Sequence, residues 1–376
     1  MEPTEIEITP EQKDIEYLQE QLEQTHYDLY RNVSKQVLTD SLQKATKVES
    51  EFLNIAIQES LALIGDAHTY VPGILNGNYL PLDLREIDGS FYIIGSSEKY
   101  SHLLGQELKS INGNNLTDVV EKLSNLSSKE NGEVLLKDIS TNMISNQVLR
   151  YYGFSSSNQL QLTTNEGITE ITVDTEDKVK ELHPLRWKDY EINDPSFVGN
   201  KIYRFRIIGD TLLFQYNKCT NNGHSKEELV EFKRMLLEAT DSVKSIVVDL
   251  RENRGGNTGI MKDLFEKFPE NKAIYIAMGR DTFSSAIHHL LFLKNNRNAT
   301  LIGENAGQGP NRFGDHKGIV LPNSKLQVSC SYKYFELLPG QDISVIEPDI
   351  RIPVTIENYK NNTDPLNQWI KDNLQV

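Results

Sequence analysis

The run Met278-Gly279-Arg280-Asp281-Thr282-Phe283-Ser284-Ser285-Ala286-Ile287 sets two serines between an apolar strand-like stretch and a helical pattern. A serine at the start of a helix has two chemical advantages. The helix N-terminus favours negative charge, so it assists both an alkoxide and the oxyanion formed by its attack. The N–H of the next residue can also point into an oxyanion hole. Ser284 is therefore the candidate nucleophile, Ser285 the runner-up, and the Ser285 N–H a candidate oxyanion donor. Taken alone, the pattern is more readily that of an N-capping serine.

A second segment follows a buried strand: Asp249-Leu250-Arg251-Glu252-Asn253-Arg254-Gly255-Gly256-Asn257-Thr258-Gly259. Its glycine pair lets backbone approach another group closely, which makes Gly255 and Gly256 candidates for the second oxyanion donor. Its spacing is not that of a phosphate-binding loop followed by Lys-Ser/Thr, which argues against nucleotide binding. A base is also required. The motif Gly65-Asp66-Ala67-His68-Thr69 supplies a histidine, whereas His288 and His289 fall inside the helix that follows Ser284 and are read as packing-directed or exposed.

In chain order, Asp66-Ala67-His68-Thr69, Val248–Gly256, Thr282–Ala286, Ile302-Gly303-Glu304-Asn305-Ala306-Gly307 and Glu347-Pro348-Asp349-Ile350 together resemble the tail-specific, or C-terminal processing, serine peptidase family, in its tricorn-core-protease-like branch. The resemblance implies an α/β fold with a ClpP/crotonase-like ββα catalytic core and Ser284 as the nucleophile. Processing peptidases of this kind carry a lysine base in a Gly-Lys-Gly turn. Here the turn reads Ala306-Gly307-Gln308-Gly309, and glutamine cannot act as a base. The tricorn-like branch takes its base from the Asp-x-His-Thr motif, so the resemblance assigns His68 as general base and acid, with Ala67 where that branch has a serine. It places Asp342 at the position of the acid that orients the imidazole. Glu347 is the competitor, and both also read as exposed loop acids.

These pieces must be positioned by the rest of the chain. Thr9-Pro10-Glu11-Gln12 opens a helical region that ends at Gly65. Short strand-like runs follow, then Asn112-Gly113, a hairpin signal, and a helix opening near Asp118. This stretch resembles a degenerate PDZ-like insert and reads equally as a plain hairpin plus helix. Leu160–Val173 alternates like a two-stranded unit, and Glu181–Asn200 reads as a connector. Strands at Ile202–Ile207, Leu212–Tyr216, Ser245–Leu250 and Ala273–Met278 alternate with helices at Lys226–Ala239, Thr258–Phe268 and Ser284–Leu293. The expected division is a helical domain over 1–70, a PDZ-like/β insert over 71–180, and an α/β catalytic core over 181–376.

Composition narrows the partners. The net charge of −15, from 39 basic and 54 acidic residues, leaves no basic excess to neutralise phosphates, which argues against nucleic acid. Cys219 and Cys330 stand apart from any metal-ligand spacing; a disulfide between them is possible, but two isolated cysteines read more readily as buried free thiols, and no metal or cofactor is expected. No apolar run reaches the roughly 18 residues of a membrane span. The N-terminus lacks the regions of a signal peptide, so the protein is either cytoplasmic or a mature form whose export signal was removed; family members are mostly exported, which favours the cell surface. The expected activity is an endopeptidase acting on peptides or on unfolded or C-terminal segments through an acyl-enzyme. The alternative is a catalytically silent peptide- or hydrophobic-ligand-binding protein on the same fold. A crotonase-type acyl-CoA enzyme would leave the Ser and His motifs unexplained.

Overall fold

Thr9 caps the first helix, Pro10–Thr25, in a reciprocal box with Gln12, and Pro10 occupies the first turn, where its missing N–H costs nothing. In the computed structural model, which describes residues 8–74, 77–175, 178, 183–184 and 196–374, this helix belongs to the first of two compact units. That unit comprises Met1–Glu130, Val134–Pro184 and Arg312–Phe335; the second comprises Asn131–Glu133, Leu185–Asn311 and Glu336–Val376. The helical region and the β insert thus share one unit, together with residues 312–335. Most of the Glu181–Asn200 connector lies outside the described residues.

In the first unit, the helices Pro10–Thr25, Lys35–Ala45 and Leu53–Ala62 bury Ile15, Leu18, Leu22, Leu38, Leu42, Ile57 and Leu61 against Ile319, Leu321, Val328 and Cys330. These four come from a long hairpin, Asn311–Val320 paired with Gln327–Glu336. Buried Asp14 ties the first helix to the hairpin turn by accepting the backbone N–H groups of Asn323 and Ser324. A second cluster gathers the β insert. Leu108–Ile111 pairs with Asn114–Asn115 across Asn112-Gly113, both at positive φ as a tight hairpin turn requires, and also with Gln159–Thr164. The helix Leu116–Leu123 follows, and two helices absent from the sequence reading, Gly132–Met143 and Asn146–Tyr151, intervene before the next hairpin.

The second unit is built on a seven-stranded sheet. Its order is Val198–Gly199, Tyr203–Ile208, Thr211–Tyr216, Ser245–Asp249, Ala273–Met278, Thr300–Gly303, Ile350–Arg351. The first two pairings are antiparallel and the rest parallel. Thr211–Tyr216 and Ser245–Asp249 are buried along their whole length, as strands covered on both faces must be. Phe214, Phe232, Phe265, Ile287 and Leu290 fill one face, and Leu213, Val247, Ala277 and Ile302 pack with Leu366 and Ile370 on the other. The crossover helix Lys226–Ala239 joins Thr211–Tyr216 to its parallel neighbour, giving the expected α/β architecture. One element differs: the helix expected over Thr258–Phe268 is reduced to the turns Thr258–Ile260 and Lys262–Phe265, because Gly259 and Asn257 form a capping turn rather than an uninterrupted first turn. Among the described residues no helix is long and apolar enough to cross a membrane.

Candidate active site

Ser284 lies immediately before the helix Ser285–Arg297, at the end of the turn that leaves the strand Ala273–Met278. Its backbone is at φ 54°, ψ −118°, a conformation that costs a residue with a Cβ on the order of 1–3 kcal/mol and persists only where its surroundings enforce it. Several bonds do so. Thr282 closes the turn, its N–H donating to Gly279 and its hydroxyl to Leu250. The Phe283 N–H donates to the Asn253 carbonyl, and the Ser284 N–H donates to Gln308 Oε1 at 2.9 Å. A side-chain cap of Ser284 on its own helix, the alternative reading of the motif, is absent.

The glycine pair lies directly against this turn. A Cβ on Gly255 would stand 2.7 Å from Ser284 Cβ and 2.8 Å from Ser285 N. Positive φ at both glycines, 92° and 129°, is what allows the approach. The three expected oxyanion donors then separate. Gly255 N–H is engaged by Asn253 Oδ1 at 2.9 Å, whereas Gly256 N–H and Ser285 N–H hydrogen-bond to none of the described residues. Gly255 therefore contributes close approach, and the available donors are the other two. The Ser285 hydroxyl donates to the Gly256 carbonyl at 2.5 Å, which commits it to holding the loop rather than to nucleophilic chemistry.

Sequence reasoning missed Asn253. It is fully buried, its Nδ2 donates to Tyr216 O, and its Oδ1 accepts from both Gly255 N–H and Cys219 Sγ. Together with its carbonyl bond to Phe283, it couples the glycine loop to the serine turn. Its only signal was an asparagine two residues ahead of Gly-Gly. Both cysteines are buried free thiols, with burial pushing Cys219 up to about 11.

In the first unit, His68 sits in a turn organised by Asp66. The Asp66 carboxylate accepts the His68 backbone N–H at 2.8 Å, the Thr69 hydroxyl, and His26 Nε2 at 3.2 Å. His26 Nδ1 accepts the Asp28 N–H, so Nε2 carries the proton given to Asp66. Burial alone would raise the Asp66 carboxyl, but hydrogen bonds from His26, Ser331 and Thr69 hold it below its ordinary range. Burial pushes His68 down to about 4; Asp66 opposes the shift, and Arg312 and His316 add to it. His68 is thus a neutral imidazole at pH 7, able to accept a proton. His289, also buried, is pushed to about 3 and packs on Phe265 and Tyr216 as a core residue.

The same shifts make stability pH-dependent. Between about 4 and 6.5 the unfolded histidines bind protons that buried His68 and His289 do not, so stability must fall as pH drops through this window. Thermal melts from pH 7 to 4.5 should show a falling Tm, with a shallower slope in His68→Gln. A slope unchanged by that substitution would mean His68 titrates normally.

Asp342 and Glu347 are exposed, and neither makes a hydrogen bond or ion pair with any described residue. Within the first unit, the acid bonded in the His68 turn is Asp66. Asp349, in the same segment, is bonded to Lys294 and to Leu301 N–H and ends the loop structurally.

No family model matches the sequence, and no curated relative matches it. Among solved structures, mature CPAF complexed with lactacystin is similar in fold, with TM-score 0.64 at 12% identity over 96% of each chain. A CPAF mutant reaches 0.68 at 12% identity, covering 96% of this chain and 95% of that one. A Parabacteroides merdae protein provisionally named a peptidase gives 0.52 at 12% identity over 96% of each. The chain shares their fold over nearly its whole length.

Proposed function

We propose that this chain is a serine peptidase that cleaves peptides or unfolded or C-terminal segments through an acyl-enzyme, with Ser284 as nucleophile and His68 as general base. The observation that carries the reading is Ser284 itself. It is held at φ 54° at a helix start, beside two N–H groups, of Gly256 and Ser285, that no described residue occupies. The fold shared with a protein solved in complex with lactacystin, and with one provisionally named a peptidase, supports it.

In this mechanism Ser284 Oγ attacks the substrate carbonyl carbon while His68 takes the hydroxyl proton. The carbonyl oxygen becomes an oxyanion bonded by the Gly256 and Ser285 N–H groups. Collapse breaks the C–N bond, His68 returns the proton to the leaving amine, and a water activated the same way hydrolyses the ester. The acid that steadies the imidazolium is assigned to Asp342 or Glu347, and comparison of Asp342→Asn with Glu347→Gln separates them.

Covalent labelling by a fluorophosphonate tests the proposal. The wild type should label on Ser284, Ser284→Ala should not label, and His68→Gln should lose on the order of 10⁴-fold or more in rate. Ser285→Ala should still label. No labelling, together with no cleavage of denatured protein dependent on Ser284, would leave a binding protein on this fold.

A further inference from the structure

The turn Ala306-Gly307-Gln308-Gly309 is pressed against the serine segment. Gly307 N–H donates to the Thr282 carbonyl at 3.0 Å, and a Cβ on Gly307 would fall 2.1 Å from the Arg280 carbonyl oxygen. On the other side, a Cβ on Gly309 would fall 2.7 Å from the Ile343 carbonyl oxygen. Asn131 Nδ2 donates to the Ala306 and Ser344 carbonyls, and Glu133 bridges Arg280 and Asn305. Both flanks of the turn are therefore fixed, and the one side chain between the glycines is Gln308, which is fully buried. Its Oε1 accepts the N–H of Ser284.

That N–H has no partner available within the helix, because the first turn of a helix leaves its N–H groups without carbonyls. It also belongs to the residue with the strained backbone. We infer that Gln308 is a positioning residue for the proposed reaction: its amide oxygen holds the Phe283–Ser284 peptide plane, and thereby sets the direction of Ser284 Oγ and of the Ser285 N–H that follows. The inference rests on Ser284 being the nucleophile.

Two variants of the full chain test it. Gln308→Met keeps length and volume and removes the acceptor. Gln308→Glu keeps an acceptor and buries a charge. We expect Gln308→Met to label with the fluorophosphonate about 10–100-fold more slowly than wild type, with KM for a peptide unchanged, as for a nucleophile displaced by a fraction of an ångström. Gln308→Glu should label faster than Gln308→Met although its Tm is lower, because burying a charge costs more than burying a thioether. Order of reactivity and order of stability would then be opposite, which mere space-filling does not produce. Labelling of Gln308→Met within about threefold of wild type, or rates that simply follow Tm, would overturn the inference. If Gln308→Met fails to fold, a loss above about 100-fold in Gln308→Glu would do the same. A wild type that does not label at all sinks the peptidase reading and this inference with it; a labelled wild type with indifferent variants sinks only the inference.

Discussion

Gly255→Ala should lose about 10²–10³-fold in fluorophosphonate labelling and about 2–4 kcal/mol in stability, from one added methyl group. The carbon would stand 2.7 Å from Ser284 Cβ, 2.8 Å from Ser285 N and 3.0 Å from the Phe283 carbonyl oxygen. None of these is the far end of a flexible side chain, so none can swing aside. The residue would also have to adopt φ 92°, which glycine reaches readily and alanine does not. Either the loop retreats, taking the Gly256 N–H with it, or the start of the helix shifts with Ser284. A displacement of about 1 Å costs on the order of 10² in rate, and loss of an oxyanion donor 10²–10³. Gly259→Ala, in the same loop, is the control. Its Cβ would meet only the Asn257 side chain, with Oδ1 at 3.1 Å, and its φ is not in the positive region. It should label within about threefold of wild type, since nothing there touches the serine turn. A normal rate in Gly255→Ala would mean that the glycine loop does not shape the site.

Much of this was legible because it is local. The capping box at Thr9, the Asn112-Gly113 turn, the helix Lys226–Ala239 and the strand Ala273–Met278 each follow from a few neighbouring residues, and the structure has them where periodicity and turn chemistry place them. Ser284 at a helix start is likewise a local pattern. What escaped depends on partners distant in sequence. The hairpin Asn311–Val320/Gln327–Glu336 alternates too irregularly to announce itself, and its place in the first unit is fixed by Ile319, Leu321 and Val328 packing with residues of the N-terminal helices. Gln308 was legible only as a lysine that is absent; its bond to the Ser284 N–H spans 24 residues and has no sequence signature. The stretch from Asp249 to Gly256 reads as one motif with one purpose, yet in the structure it has two. Its glycines serve the serine turn, while its first three residues hold an ion cluster whose third member lies 113 positions away.

That cluster should give a large stability effect when broken, outside the site itself. Arg251 is buried, and its guanidinium makes two bonds to Asp249, from Nε and Nη2 at 2.9 Å each, and two to Asp364, from Nη1 at 2.8 Å and Nη2 at 2.9 Å. Asp249 ends a central strand, and Asp364 caps the helix Pro365–Asn373 by accepting the Leu366 N–H. One planar cation thus satisfies two buried carboxylates from opposite parts of the second unit. Arg251→Met removes the cation and leaves both acids buried, a change that costs about 3–5 kcal/mol when a buried pair is broken from one side. For a unit of this size the expected drop in Tm is about 6–20 °C. Arg251→Lys should recover only part of it, because an ammonium cannot make two bidentate contacts. The decisive variant is the double one. Asp364→Asn in the Arg251→Met background keeps a capping oxygen and removes one uncompensated charge, so it should raise Tm above that of Arg251→Met alone. If the two substitutions were instead additive in their cost, Arg251 would be filling space rather than neutralising charge. Labelling should fall with Arg251→Met as well, because the chain that leaves this anchor reaches Gly255 four residues later.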